Sequence, residues 1–300
     1  MKTPGTRLRH AVTDAVRTGR TVPFLGVYDV FSASLAARHS DALFMSGFGF
    51  AASHYGLPDI GFISWTDMVD FVGRVRAALP SHHLLVDIDD GYCDIEVACH
   101  VASRLERIGA SGVVLEDQRR PRRCGHFDGK QIMELDDFLE KLNRVLETRA
   151  DLFVVARTDA TDPAEAARRV RAFADAGADA VLIDGVRDLA VLRNLAAGLE
   201  PPLVFNQIAG GKSPRCSLTE LAAVGVTLAI YSTPCLFAAQ RAIGSALEAL
   251  TAADGRLPAP GNGEVGVADC TSVLQANAAR RDVRDIVPVG IDPVVISASA

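Results

Sequence analysis

The chain has 300 residues, of which 49% are hydrophobic, and a formal net charge of −6 at pH 7. A chain of this size and hydrophobicity can bury one large core, and its acidic balance favours neither nucleic acid nor an anionic membrane as a partner. No apolar run is long enough to cross a bilayer, and residues 1–20 lack the apolar segment of a signal peptide, so we expect a cytoplasmic protein.

Short apolar, β-branched segments alternate with longer helical patterns along most of the chain. Eight of these segments are predicted strands: 22–29, 41–47, 83–89, 111–117, 152–159, 179–184, 202–207 and 227–233. Apolar strands that alternate with helices indicate parallel pairing with both faces of the sheet buried. Eight such units predict an α/β fold, a (βα)₈ TIM-type barrel, which we favour over an open doubly wound sheet because the count reaches eight.

The two ends of the chain differ from this pattern. Residues 5–20 predict an additional helix that covers the bottom of the barrel, and a Gly- and Pro-rich link precedes a predicted helix near 269–283. We therefore divide the chain into a catalytic barrel with its N-terminal helix over 1–255 and a C-terminal linker, helix and tail over 256–300. We expect the second part to contact other subunits.

Ionisable residues stand at the ends of most predicted strands, which in an α/β barrel share one mouth. Asp87 and Asp89 are two residues apart on one strand and therefore point to the same face. With Glu116 on the next strand they form an oxygen-rich cluster suited to Mg²⁺, with Mn²⁺ possible. The alternative that Asp89 or Asp90 caps the following helix stays open.

Two cationic features accompany these carboxylates. Arg157 ends the fifth strand and is matched in shape to a carboxylate of the substrate, with a structural salt bridge as the alternative. The loop EDQRRPRRCGHFDGKQ after the fourth strand has four arginines within five residues but no interleaved aromatics, which argues against nucleic acid. A solvated loop is one alternative. We favour a mobile lid that brings Cys124 over an anionic substrate, with the arginines favouring its thiolate.

Nine motifs follow one another along the chain: GVYDVFSA, SGFGFAAS, GLPDIGF, DIDDGY, LEDQ, PRRCGH, ARTDA, NQIAGGKSP and AIY. On these motifs, from about residue 20 to 245, the chain resembles the isocitrate lyase/phosphoenolpyruvate mutase superfamily. It is most similar to the short members typified by 2-methylisocitrate lyase. The resemblance implies a TIM-barrel enzyme that acts on small anionic keto or hydroxy acids.

The resemblance also implies roles for individual residues. It implies the metal set Asp87, Asp89, Asp59 and Glu116, with the last two holding metal-bound waters. It implies the catalytic set Cys124, Arg157, His126 and Glu116, with Cys124 as the acid/base. The expected substrate-binding residues are Tyr28, Ser46, Gly47, Phe48, Asp87, Arg157, Asn206 and Ser213.

The implied reaction is a retro-aldol cleavage of a substituted 2-hydroxy di- or tricarboxylate, similar to 2-methylisocitrate or an alkylmalate. The products are an α-keto acid and a carboxylate. In this scheme Mg²⁺ stabilises the oxyanion, and Cys124 protonates the leaving carbanion.

Four positions depart from the usual family pattern. Arg122 stands where lysine is usual, Phe44 where tyrosine is usual, and Asp184 and Ala209 where glutamate is usual. The last three lie in or near the expected pocket for the second carboxylate. We therefore expect a substrate other than ordinary 2-methylisocitrate.

Three other functions stay open. A carboxyphosphonoenolpyruvate- or phosphoenolpyruvate-type phosphonomutase is the first, although the Asn-Ser lid motif of phosphoenolpyruvate mutases is missing. Oxaloacetate decarboxylation or hydrolysis is the second, and a barrel that binds its ligand without turnover is the third. The family also implies a homotetramer, a dimer of dimers that exchanges a C-terminal helix between subunits.

Overall fold

The computed structural model describes residues 2–125, 129–257 and 265–280. Eight parallel strands pair in chain order, and the eighth pairs with the first, which closes the barrel. The strands are β1 (Val22–Val27), β2 (Ala42–Met45), β3 (His83–Asp87), β4 (Gly112–Glu116), β5 (Phe153–Thr158), β6 (Ala180–Ile183), β7 (Leu203–Gln207) and β8 (Val226–Tyr231). The predicted (βα)₈ barrel is confirmed, and every predicted segment contains or overlaps its strand.

Helices separate the strands and cover the outside of the barrel. They are α1 (Pro4–Thr18), α2 (Val30–Ala36), α3 (Gly47–Phe50, continued by a π-helical turn over Ala51–Tyr55), α4 (Trp65–Ala78), α5 (Ile95–Arg107), α6 (Leu135–Thr148), α7 (Pro163–Asp175), α8 (Leu189–Ala196), α9 (Leu218–Ala223), α10 (Pro234–Ala252) and α11 (Val267–Arg280). Asp94 caps α5 by accepting a hydrogen bond from the backbone N–H of Val97, at 2.9 Å. The residue that caps this helix is therefore Asp94, and not Asp89 or Asp90.

The strands are apolar over most of their length because both of their faces are covered. One hydrophobic cluster lies between the strands and the helices, and a second fills the barrel interior around Phe24 and Phe153. Leu8 and Val12 of α1 belong to this interior cluster, so α1 closes the bottom of the barrel as predicted. The interior is a packed core, and only the mouth is available for chemistry.

The C-terminal part packs on the barrel of the same chain. α11 contacts α2 and α4, Val273 is buried, and Asn277 donates a hydrogen bond to Ser34 at 2.8 Å. The exchange of this helix between subunits stays a prediction. Within the described residues we find no helix that is both long enough and apolar enough to traverse a membrane.

Candidate active site

The aspartates at the end of β3 converge on one point of the barrel mouth. A Cβ atom added to Gly47 would lie 3.2 Å from Asp87 Oδ2 and 3.7 Å from Asp89 Oδ1. The backbone N–H of Asp89 donates to Asp87 Oδ1 at 3.3 Å, and Asp89 has a positive φ of 52°. A side chain at position 47 would therefore make a tight contact with Asp87 and an ordinary van der Waals contact with Asp89.

Arg122 lies inside the carboxylate cluster that the sequence assigns to a metal. Its side chain is 2% exposed, and its nitrogens lie 2.5 Å from Asp59 Oδ1, 3.0 Å from Asp89 Oδ1 and 3.0 Å from Glu116 Oε1. The three carboxylates come from the segment after α3, from the end of β3 and from the end of β4. One guanidinium thus joins three separate parts of the mouth. From the sequence, Arg122 was identified as a departure from the family pattern but was not predicted as a site residue.

Arg157 forms the second cationic centre of the mouth. Its nitrogens lie 3.2 Å from Glu116 Oε2, 2.9 Å from Asp159 Oδ2 and 2.9 Å from Asp184 Oδ2. The salt-bridge alternative describes this geometry, and contact with a substrate carboxylate stays a prediction. Asp159 was missed by the sequence reasoning, although it stands at a strand end two residues after Arg157. The arginine and Lys130 hold the pKa of Asp159 well below its usual range despite complete burial.

The mouth contains more buried carboxylates than cations, and the pKa values of three of these carboxylates are raised. Burial raises the pKa of Asp87, Asp89 and Glu116, and the nearby Arg122 and Arg157 only partly oppose this. Mutual repulsion adds to the rise, since Asp87 and Asp59 both act on Asp89. Glu116 Oε2 is buried and lies within ion-pair distance of Arg157 but accepts no hydrogen bond. A further bound cation would stabilise the ionised forms of these carboxylates and reduce the repulsion between them.

These residues fit a hard divalent cation by charge and by donor type. Mg²⁺ prefers carboxylate oxygens, and the cluster has surplus negative charge and an unbonded carboxylate oxygen. In the three described ranges, however, no three His, Cys, Asp or Glu side chains already converge as a ready-made metal site. The guanidinium of Arg122 lies among Asp59, Asp89 and Glu116 and forms an ion pair with each of them.

The lid segment, the loop after β4 that carries Arg122 and Cys124, is held against the mouth on both sides of Arg122. Arg120 makes a two-pronged ion pair with Asp90, at 2.8 and 2.9 Å. Gln118 accepts from the backbone N–H of Arg123 at 2.9 Å and donates to its carbonyl at 2.8 Å. Cys124 is 7% exposed and faces the site. His126, the other predicted lid residue, lies outside the described residues.

A small central cavity of about 20 Å³ lies beneath this segment. Seven of the predicted residues line it, together with the departure positions Phe44, Arg122 and Asp184; the seven are Ser46, Phe48, Asp59, Asp87, Cys124, Arg157 and Asn206. Ser232, which the sequence reasoning did not select, donates to Asn206 Oδ1 at 2.7 Å. Asn206 Nδ2 in turn donates to Asp184 at 2.9 Å, so these polar groups orient one another.

Other predicted residues lie near this cavity without lining it. Tyr28 is half-buried at the end of β1, and burial raises its pKa. Ser213 lines a neighbouring cavity of about 300 Å³ that shares Ile208 with the central one, and its buried Oγ has no hydrogen-bond partner. Ala209 lines the same neighbouring cavity. The structure thus separates the predicted substrate residues into two adjoining spaces.

A larger cavity of about 450 Å³ opens on the other side of Gly125 and Asp184. Both residues also line the central cavity, so they form the wall between the two spaces. Gly125 lies directly against the side chain of Asp184, since a Cβ atom added to Gly125 would lie 1.7 Å from Asp184 Oδ2. This space could not be predicted from the sequence, because its lining comes from segments that follow four different strands, β4, β5, β6 and β7.

Known proteins are similar to this chain in architecture and in sequence. The chain is 29% identical over 238 residues to 2,3-dimethylmalate lyase of Eubacterium barkeri, covering 77% of this chain and 81% of that protein. It is 30% identical over 254 residues to 2-methylisocitrate lyase of Shewanella oneidensis, covering 82% and 85%. A solved structure of oxaloacetate acetylhydrolase with 3,3-difluorooxalacetate superposes with a TM-score of 0.84 at 30% identity, covering 94% and 98%.

The family model described as phosphoenolpyruvate phosphomutase matches residues 15–251, which span every strand of the barrel. This match covers well over half of the chain. The protein therefore belongs to the phosphoenolpyruvate phosphomutase family, within the PEP mutase/isocitrate lyase superfamily of enzymes.

Proposed function

We propose that this protein is a magnesium-dependent carbon–carbon lyase that cleaves an alkyl-substituted malate or a similar 2-hydroxy polycarboxylate. The observation that carries the proposal is the meeting of a thiol, a carboxylate and hydrogen-bonding groups around one cavity. Cys124, Asp87, Ser46 and Asn206 line it together. The lyases among the relatives act on compounds of this class by their names, 2,3-dimethylmalate and 2-methylisocitrate.

Each group has a task in a retro-aldol cleavage. A divalent ion bound by the Asp87/Asp89 cluster would supply Lewis-acid polarisation of the oxygen on carbon 2. The Ser46 hydroxyl accepts from the N–H of Gly49 at 3.0 Å and keeps its own proton for a substrate carboxylate. The bond between carbons 2 and 3 breaks as the hydroxyl on carbon 2 loses its proton to a carboxylate of the cluster and becomes the keto oxygen. The thiol of Cys124 gives its proton to carbon 3, which departs as the carboxylate product.

Turnover requires the lid segment to move. The central cavity holds about 20 Å³, which is room for little more than one water molecule and not for a dicarboxylate. Arg122, Cys124 and Gly125 of the lid segment form part of its wall. Opening of this segment admits the substrate, and reclosure excludes water from the carbanion.

The family departures favour an alkyl substituent on the substrate. Phe44 is 5% exposed and presents a ring without a hydroxyl to the cavity, so this wall is apolar where a tyrosine would hydrogen-bond. Asp184 is occupied by Arg157 and Asn206. The wall therefore offers apolar contact near Phe44 and carboxylate recognition near Asn206, as a substituted malate requires.

The test is a panel of alkylmalates and methylisocitrates with detection of pyruvate or glyoxylate by coupled lactate dehydrogenase. We expect turnover of at least one alkylmalate, lost by at least ~10³-fold in Cys124→Ser because the general acid is removed. Cys99→Ala is the matched control, since Cys99 is a buried thiol on α5 away from the mouth. Full activity in Cys124→Ser would refute the thiol as acid.

Two arms of the same experiment examine the alternatives. Oxaloacetate is included because the oxaloacetate acetylhydrolase structure superposes closely, and release of oxalate and acetate would favour hydrolysis. Phosphonate substrates followed by phosphorus NMR would reveal a phosphonomutase by new or lost C–P signals. Either result without alkylmalate cleavage would replace the lyase proposal.

We further propose that the protein assembles as a homo-oligomer. α10 has no buried residue along its 19 residues and exposes Ile243 and Leu247 on the isolated chain. Apolar helix surfaces of this kind are commonly covered in assemblies. Light scattering is expected to give a dimer or tetramer, and an Ile243→Glu/Leu247→Glu variant should shift it toward the monomer. A monomeric wild-type protein would refute this.

A further inference from the structure

Arg122 differs from the other cations of the mouth in what it contacts. Its guanidinium touches Asp59, Asp89 and Glu116, each through a different nitrogen, and all four side chains are at least 94% buried. Arg157 shares Glu116 with it but otherwise contacts Asp159 and Asp184, on the far side of the mouth. Arg122 thus forms ion pairs with both Asp59 and Asp89.

A guanidinium at this position cannot exchange protons at neutral pH. Arginine keeps its charge in proteins, whereas a lysine ammonium can be shifted into the range of acid–base chemistry. The task left to Arg122 is electrostatic and geometric. Its planar fork reaches several carboxylates at once, which a single ammonium does less well.

The backbone that carries Arg122 is anchored, so the charge is a fixed part of the closed site. Arg120 is held by Asp90 on one side, and Gln118 brackets the backbone of Arg123 on the other. A cation that enters the cluster must therefore approach a positive charge that the closed lid segment holds in place.

We propose that Arg122 is a positioning residue that serves as the resident counter-cation of the carboxylate cluster and competes with the divalent ion for it. The proposal rests on the metal site of the proposed function. Closure of the lid segment over the cluster and binding of a divalent ion are then negatively coupled. Both bring positive charge to Asp59, Asp89 and Glu116. By reciprocity, metal binding weakens the hold of Arg122 to the same degree that Arg122 weakens metal binding.

The experiment is calorimetric titration of the metal-free protein with Mg²⁺ in the absence of substrate, at constant ionic strength. We expect Arg122→Gln to bind Mg²⁺ about tenfold more tightly than the wild type, a coupling within the usual range. Arg122→Lys should lie between the two, because an ammonium keeps the charge but reaches fewer carboxylates. The matched control is Arg120→Gln, which removes the same charge from the same segment but pairs with Asp90 at the rim. Its affinity should change less than threefold.

Thermal unfolding gives a second readout that is independent of turnover. In chelator, Arg122→Gln should melt below the wild type because the carboxylates lose their counter-charge, and Mg²⁺ should raise its melting temperature by more than it raises that of the wild type. If Arg122→Gln does not fold in chelator, Arg122→Lys carries the comparison.

Equal or weaker Mg²⁺ affinity in Arg122→Gln and Arg122→Lys would overturn the inference, whatever the substrate panel shows. An equally tightened Arg120→Gln would also overturn it, because the effect would then be general charge and not competition. Tightened affinity in a protein that cleaves no hydroxy acid would uphold the inference and refute the lyase proposal alone.

Discussion

The two ends of the barrel both contain ionic networks, but they balance charge differently. At the bottom, Arg9 of α1 lies 3.2 Å from Asp151 and 2.9 Å from Asp179, and Arg149 also pairs with Asp179. These groups are partly exposed, and the pKa of Asp151 is lowered because hydrogen bonds from Thr3 and Thr6 and the charge of Arg9 outweigh its burial.

At the mouth Asp87, Asp89 and Glu116 are nearly fully buried, and their pKa values are raised instead. Charges that stabilise the fold have their partners in place, as at the bottom. A cluster of buried carboxylates whose pKa values are raised indicates a functional site, here one that binds a cation and an anionic substrate. The contrast between the ends can be tested with paired substitutions.

The largest expected effect comes from removing one arginine at each end. Arg157→Met leaves Glu116, Asp159 and Asp184 without their shared partner, and we expect a loss of about 3–5 kcal/mol in the free energy of unfolding. Arg9→Met should cost about 1 kcal/mol or less, because its ion pairs are partly solvated. Urea unfolding monitored by circular dichroism measures both. Equal losses would contradict the contrast.

The next pair changes one carboxyl to its neutral isostere at each end. Burial disfavours the charged form of Asp89, so Asp89→Asn should stabilise the metal-free protein by about 1 kcal/mol while weakening Mg²⁺ binding. Asp151→Asn should destabilise by about 1 kcal/mol, since it loses the charge-assisted hydrogen bonds from Thr6 and Arg9. Melting temperatures in chelator check the opposite signs. Destabilisation by both substitutions would refute the interpretation of the mouth.

The sequence allowed most of the fold to be predicted because each strand is a continuous apolar run and each crossover has helical periodicity. The strand ends likewise placed Asp87, Asp89, Glu116 and Arg157 at one mouth, since parallel strands share a direction. Their contacts could not be predicted in the same way. That Arg122 would lie between Asp59 and Glu116 depends on how a loop folds back, and loop geometry is set by tertiary packing that no local pattern records.

The same limit explains what was missed or misplaced. Asp159 and Ser232 stand at strand ends like the selected residues, but only the structure shows that they hold Arg157 and Asn206. Ser213 matches a family motif, yet its loop directs it into a neighbouring cavity. The signal that could have found Asp159 was its position two residues after Arg157, on the same face.

The two ends should also respond to pH with opposite slopes. Burial raises the pKa of Asp89 to about 8 from an ordinary value near 4, so its folded form binds a proton that the unfolded chain releases. Its contribution to stability is present below about pH 4 and is lost as the pH rises toward 8. At the bottom, burial lowers the pKa of His83 to about 4 from 6.5, so its contribution is present above pH 6.5 and is lost as the pH falls toward 4.

Urea midpoints of the metal-free protein between pH 4 and 9 measure these slopes. Asp89→Asn should flatten the decline on the alkaline side and leave the acid side unchanged, and His83→Gln should do the reverse. Identical profiles for the two variants would show that the ends do not titrate independently.

The smallest effect separates a binding hydroxyl from a structural one. Ser213 Oγ at the mouth is buried and unbonded, whereas Ser111 Oγ at the bottom accepts from the backbone N–H of Leu84 at 3.2 Å. Ser111→Ala should therefore cost about 1 kcal/mol of stability and leave KM unchanged. Ser213→Ala has no internal hydrogen bond to lose, so its stability should be unchanged while KM rises about fivefold if the hydroxyl meets a substrate carboxylate. An unchanged KM in Ser213→Ala would show that Ser213 has no such substrate contact.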